Sequence, residues 1–266
     1  MARRKSCRLV LITAIVLFVV YFLHIGPWTT TSRAQLFSPQ QPLRFVPSSF
    51  DWSQAREYHP AENIKELPKG KPKSIPPVQA PRSSFHNPNE ADSRREEVLN
   101  VFRRTYSAYK QHAWLRDELA PLSGSAKDTF GGWAATLVDT LDTLWIMGET
   151  ADFYEAADAI TAIDFSKTSD GAVNLFETTI RHLGGLLGGY DLSGEEALLR
   201  KAVELGEMLY KAFDTPNRLP GFWLNFQEAR EGHQVAGVND PSASPASLSL
   251  EMTRLSQLTG DSKYYD

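Results

Sequence analysis

Cysteine is almost missing from this chain: Cys7 is the only one in 266 residues. No disulfide can therefore close within it, and neither a cysteine nucleophile nor a zinc cluster has material to work with. Positive charge is not in excess either. The formal net charge of −4 offers no field for a phosphate backbone. No zinc-finger, RNA-binding or P-loop signature occurs, so nucleic acid is excluded as a partner. There is no Asn-x-Ser/Thr acceptor for N-glycosylation. Sustained alternation of apolar and polar residues, the mark of a half-buried strand, is lacking as well. What remains is 42% hydrophobic content, enough for an ordinary globular core.

The first eight residues, MARRKSCR, carry four basic side chains, and Leu9 to Ile25 then runs without a formal charge. At 1.5 Å per residue this run reaches about 25 Å, enough to cross a thin bilayer as a helix. No small-residue cleavage site follows; His24, Pro27 and Trp28 stand there instead. The basic flank places residues 1–8 in the cytosol and makes residues 9–25 a transmembrane signal anchor. Cys7 at its border is open to palmitoylation. Residues 26–90 recur in proline among Ser, Gln and Lys, and read as an extended luminal stem on which Phe45, Phe50, Trp52 and Tyr58 could dock locally.

From residue 91 to 266 helix follows helix. A first helix runs to about His112, with Val98, Val101, Phe102, Tyr106 and Tyr109 at helical spacing. Gly131 to Met147 reads as a second, apolar on nearly all sides and therefore buried, with Asp139 and Asp142 sharing a face. A third covers about residues 149–163. Ser193 and Glu196 make a capping box for an amphipathic outer helix marked by Leu198, Leu205 and Leu209. A long loop carrying Phe222, Trp223 and Phe226 leads to a last helix that holds Glu251. Buried helices alternating with amphipathic ones predict an all-α toroid of helical hairpins, of which five or six helices form only part.

The stretch NLFETTIRHLGGLLGG, residues 174–189, is the most unusual. Helical spacing puts Phe176, Ile180, Leu183 and Leu187 on one stripe, with Glu177, Arg181, Gly184, Gly185 and Gly188 on the next. Interior glycines each cost roughly 1 kcal/mol relative to alanine, so several together imply close approach by another helix or a ligand. Two readings of Glu177 and Arg181 stay open at this point: a solvated i,i+4 pair beside a thinned packing face, or a functional carboxylate and its partner.

Three segments in order, GGWAATLVDTLDTLWIMGE, NLFETTIRHLGGLLGGYDLSG and SPASLSLEMTRLSQLTGDSKYYD, resemble the class I α-1,2-mannosidases of glycoside hydrolase family 47, of the fungal-like processing type. The resemblance covers about residues 92–266. It implies an (α/α)7 barrel, here incomplete, with Ca2+ near the barrel floor. It also implies inverting hydrolysis of terminal α-1,2-linked mannose on high-mannose N-glycans, in the lumen of the endoplasmic reticulum or Golgi, by a single-pass type II membrane protein. Residue by residue, Glu177 matches the general acid acting through a water, and Arg181 the arginine that holds it and contacts substrate. Asp139 and Glu251 match acidic residues lining the pocket. The family's base candidates and calcium-contacting threonine match nothing here and are expected beyond Asp266, so the 266 residues alone are expected to lack turnover. An inverting pair needs its carboxyls roughly 6.5–9.5 Å apart and an acid of raised pKa, which burial favours and Arg181 opposes. A mannose-binding, lectin-like protein of glycoprotein quality control, and a helical scaffold without a sugar site, are the other readings.

Overall fold

The computed structural model describes residues 42–266, apart from 71–73, 75–76 and 85–87. The expected anchor over residues 9–25 lies outside the described residues, and among those described no helix is long and apolar enough to cross a membrane. The compact unit is Pro42–Asp266.

The element order is mostly helical, as the periodicity predicts. The helices are α1 (Pro88–His112), α2 (Ala135–Asp139), α3 (Leu141–Met147), α4 (Thr150–Ile160), α5 (Leu175–Thr178), α6 (Gly184–Ser193), α7 (Glu196–Tyr210), α8 (Phe226–Glu231), α9 (Ala243–Ala246) and α10 (Ser249–Thr259). A π-helical turn, Thr179–Leu183, joins α5 to α6 without a break. Two small antiparallel ribbons, which the sequence did not announce, complete the fold. β1 (Glu118–Leu119) pairs with β2 (Ala126–Lys127), and β3 (Ala172–Asn174) with β4 (Trp223–Asn225). In the second ribbon Val173 faces Leu224 and both are buried, which leaves Asn174 and Trp223 on the other face.

The helix expected over Gly131–Met147 is three pieces. Gly131, Gly132 and Ala134 all take positive φ, so the helix begins only at Ala135. It breaks again at Thr140, whose hydroxyl and N–H both bond back to the Thr136 carbonyl. The break turns α3 so that Leu141 and Leu144 are buried while Ile146 is 73% exposed, against the expectation of a helix buried all round. Asp142, beyond the break, is exposed and accepts from the Thr143 hydroxyl, and it still lies near enough to Asp139 to push that carboxyl up. The capping box expected at Ser193 does not form. Ser193 ends α6, donating to the Gly189 carbonyl and accepting from Glu195 N–H.

α6 sits between α3 and α7, while α4 packs outside α3 and α10 closes over α6 and α7. This is an arc of inner and outer helices, and the glycines of α6 explain how it closes. A Cβ on Gly185 would lie 2.6 Å from the Val138 carbonyl oxygen at the end of α2, so the two backbones meet there. Gly188 has only the Asp142 Cβ at 3.8 Å.

Part of the proline-rich segment expected as a stem, from Phe45 to His59, is laid on the domain. Trp52 is 1% exposed and packs edge-on against Phe226 at 5.1 Å. Buried Asp214 accepts the backbone N–H groups of Tyr58 and His59, and Lys211 Nζ donates to the Ala55 carbonyl at 2.8 Å. Phe45 lies over the Arg200 guanidinium at 3.9 Å. The aromatics that could dock do so, and α7 is covered by this strap.

Gly185→Ala is expected to destabilise the chain by about 1–3 kcal/mol through overpacking against α2. Gly188→Ala is expected to be neutral or stabilising by up to about 1 kcal/mol, since a helical alanine replaces glycine in open space. Urea or thermal unfolding of the two variants checks the contrast.

Candidate active site

Asn174 ends β3 in extended conformation, and its side chain accepts the Glu177 N–H at 2.9 Å, so a ribbon strand turns directly into α5. Glu177 follows in the first turn, and Arg181 lies four residues on, within the π turn. The π geometry shifts the burial pattern from the expected stripe. Leu175, Thr178, Thr179, His182 and Leu183 are buried, whereas Phe176 and Ile180 are only half-buried. Thr179 can occupy a buried position because its hydroxyl donates to the Leu175 carbonyl at 2.8 Å.

Arg181 gathers the site. Its Nε donates to Glu177 Oε2 at 2.8 Å, with Nη2 at 2.8 Å from the same oxygen. Its Nη1 reaches Asp139 Oδ2 at 3.3 Å across the gap to α2. Its charged face lies 4.6 Å from the centre of the Phe130 ring. Arg181, Glu177 and Asp139 are each about a third exposed, so the cluster opens to solvent on one side. A single cation thus joins carboxylates from two helices.

Glu251, on α10, packs beside Gly184, one turn past Arg181. Its Cγ and Oε1 lie 3.7 Å from where a Gly184 Cβ would stand. It makes no hydrogen bond or ion pair to the other three, and its buried Oε2 has no partner among the described residues. Burial pushes the Glu251 carboxyl above the usual carboxylate range. Burial also raises Asp139, with Arg181 pulling it back down and Asp142 and Glu177 adding to the rise. Carboxyls held towards their neutral form suit proton donation to a leaving oxygen or hydrogen bonding to sugar hydroxyls.

Among the described residues no group of three or more His, Cys, Asp or Glu converges as a metal requires. The described residues do not by themselves gather the oxygen ligands that calcium needs. A separate cleft bounded by Tyr210, Arg218, Leu248, Met252 and Tyr264 contains none of the four site residues.

Sequence reasoning passed over Phe130 and Asp117. The Gly131–Gly132 pair beside Phe130 was the available signal, because two glycines in left-handed conformation mark a turn that aims its neighbours. It also passed over His182, which is fully buried beside the Trp133 ring at 5.7 Å, with neither ring nitrogen in a well-formed hydrogen bond among the described residues. Burial pushes its pKa down from 6.5 to about 4, with Asp117 opposing and Arg181 adding to the fall. Below pH 6.5 the unfolded chain takes up a proton that the folded chain refuses, so stability declines as pH falls towards 4. The loss is expected to reach about 2 kcal/mol at pH 5, and His182→Leu is expected to flatten it. Urea midpoints at pH 7 and pH 5 for the two proteins provide the check.

A model of glycosyl hydrolase family 47 matches residues 101–266. A probable mannosyl-oligosaccharide alpha-1,2-mannosidase 1B of Aspergillus clavatus is 40% identical over 188 residues, covering 66% of this chain and 36% of the relative. The endoplasmic reticulum mannosyl-oligosaccharide 1,2-alpha-mannosidase of Homo sapiens is 39% identical over 194 residues, 72% of this chain and 27% of the relative. The solved alpha-1,2-mannosidase from Trichoderma reesei matches with a TM-score of 0.59 and 32% identity, over 65% of this chain and 38% of that one. The chain therefore spans about a third of the length of the relatives it matches. Glu177, Arg181, Asp139 and Glu251 all fall inside the matched region. With the family model spanning well over half its length and the helical arc shared with a solved mannosidase, the chain belongs to glycosyl hydrolase family 47.

Proposed function

We propose that residues 42–266 form the acid side of an active site that hydrolyses terminal α-1,2-linked mannose from high-mannose N-glycans with inversion. The observation that carries this reading is the single guanidinium of Arg181 held between Glu177 and Asp139 on the open side of the arc. Glu177 protonates the departing glycosidic oxygen through a water, and the Arg181 contact fixes which carboxylate oxygen is turned away from the cation. Asp139 and Glu251, both pushed by burial towards higher pKa, hydrogen-bond sugar hydroxyls. Relatives with mannosyl-oligosaccharide mannosidase names support the substrate class. Calcium, if bound as the resemblance implies, would supply a hard cation that takes sugar hydroxyls as oxygen ligands.

The same proposal places the domain in the lumen of the endoplasmic reticulum or Golgi, on an anchor formed by residues 9–25. One relative bears an endoplasmic reticulum name.

Loss of a general acid costs roughly 10²–10⁴ in rate. Glu177→Gln, in the protein expressed from its own genomic locus with whatever follows Asp266, is expected to lower kcat for mannose release by at least about a hundredfold. The first-formed mannose is expected to be the β anomer. Unchanged release by the variant, measured by NMR on a high-mannose glycan, would refute the assignment.

A further inference from the structure

We infer that Phe130, seated by Asp117, is a positioning residue for Arg181 and so for both carboxylates that Arg181 holds. The inference rests on the reading of Arg181 and Glu177 as site residues, and it adds the part of the structure that fixes their orientation.

Asp117 is fully buried and makes no ion pair among the described residues, its neighbour Arg116 pairing with Asp128 instead. A buried carboxylate of this kind persists only when hydrogen bonds replace its water, and Asp117 takes all of its own from one turn. Its Oδ2 accepts the N–H groups of Phe130 at 2.7 Å and Gly132 at 2.8 Å, and its Oδ1 accepts that of Ala135 at 3.1 Å. Its carbonyl accepts the Thr136 hydroxyl at 2.7 Å and the Thr136 N–H at 2.9 Å. The turn gathered this way passes through Gly131, Gly132 and Ala134 with φ of 88°, 78° and 56°. Alanine rarely adopts that region, so the path is imposed by what holds it.

Both ends of this turn meet Arg181. The near end seats the Phe130 ring over the guanidinium, 4.6 Å from its carbon. The far end starts α2, whose last residue is Asp139, 3.3 Å from Nη1. An i,i+4 pair about a third exposed is ordinarily loose and weak. With a ring against its face, the guanidinium plane loses the freedom to swing. One edge then stays on Glu177 and the remaining corner on Asp139. Phe130 touches neither carboxylate; it acts through the cation.

The test uses Phe130→Leu, which keeps an apolar side chain and removes the π face, and Phe130→Tyr, which keeps the face. In the 266-residue chain the Arg181 Nε–H signal reports solvent exchange and rotation of the guanidinium. Phe130→Leu is expected to speed both several-fold, with Phe130→Tyr close to the parent. Equal behaviour of the Leu and parent chains overturns the inference, as does a Tyr variant as loose as the Leu one. If Phe130→Leu fails to fold, Phe130→Met takes its place in the same comparison. In the protein from its own locus, Phe130→Leu is expected to lower kcat for mannose release about three- to thirtyfold, the range a cation–π contact spans. A loosened Arg181 together with full mannose release by Glu177→Gln would leave the positioning intact and remove the mannosidase reading.

Discussion

Two carboxylates on separate helices would repel each other across the mouth of the arc if nothing lay between them. Arg181 lies between them, bonded to Glu177 on its own helical stretch and to Asp139 at the end of α2. The geometry depends on how near α2 can come, and that is decided by Gly185, where a side chain would run into the Val138 carbonyl. Removing Cβ from one position therefore sets the spacing of a charged cluster one turn away. The glycine stripe and the charged stripe are two halves of one device: the first brings the helices together and the second occupies the resulting gap.

Around this contact the rest of the chain supplies rigidity. α6 is gripped between α3 and α7, and α7 in turn is strapped by the segment from Pro42, with Trp52 inserted beside Phe226 and buried Asp214 holding two backbone N–H groups. Burying an aromatic side chain of this kind contributes on the order of 1.5–3 kcal/mol before packing is counted. The π turn adds a second constraint. It places the imidazole of His182 in the core and Arg181 at the surface in consecutive positions, so the charged residue is anchored by a buried neighbour.

The helical class, the Glu177–Arg181 pairing and the meaning of the glycines were legible because each rests on periodicity, which survives without tertiary knowledge. Asp139 was legible as a carboxylate on an apolar helix, though not the break at Thr140 that follows it, where the helix begins again at Leu141. The π turn was hidden because one extra residue in a turn leaves the local composition unchanged while rotating everything after it. The strap was half visible. Proline content predicts an extended path, but whether that path lies on a domain is decided by distant partners such as Asp214 and Lys211. Phe130 had only the Gly131–Gly132 pair to mark it, and Asp117 had no local signal, because its role comes from backbone N–H groups more than ten residues away.

The central claim is that one guanidinium holds both carboxylates. It is tested most directly by the titration of the Asp139 carboxyl carbon, followed by 13C NMR in the parent chain and in Arg181→Met. Burial already lifts Asp139 above the usual range and Arg181 holds it down, so removal of the cation should move its midpoint to still higher pH. A midpoint that stays where it was, or falls, would show that Arg181 does not hold Asp139, and the bridge on which the site is built would not exist.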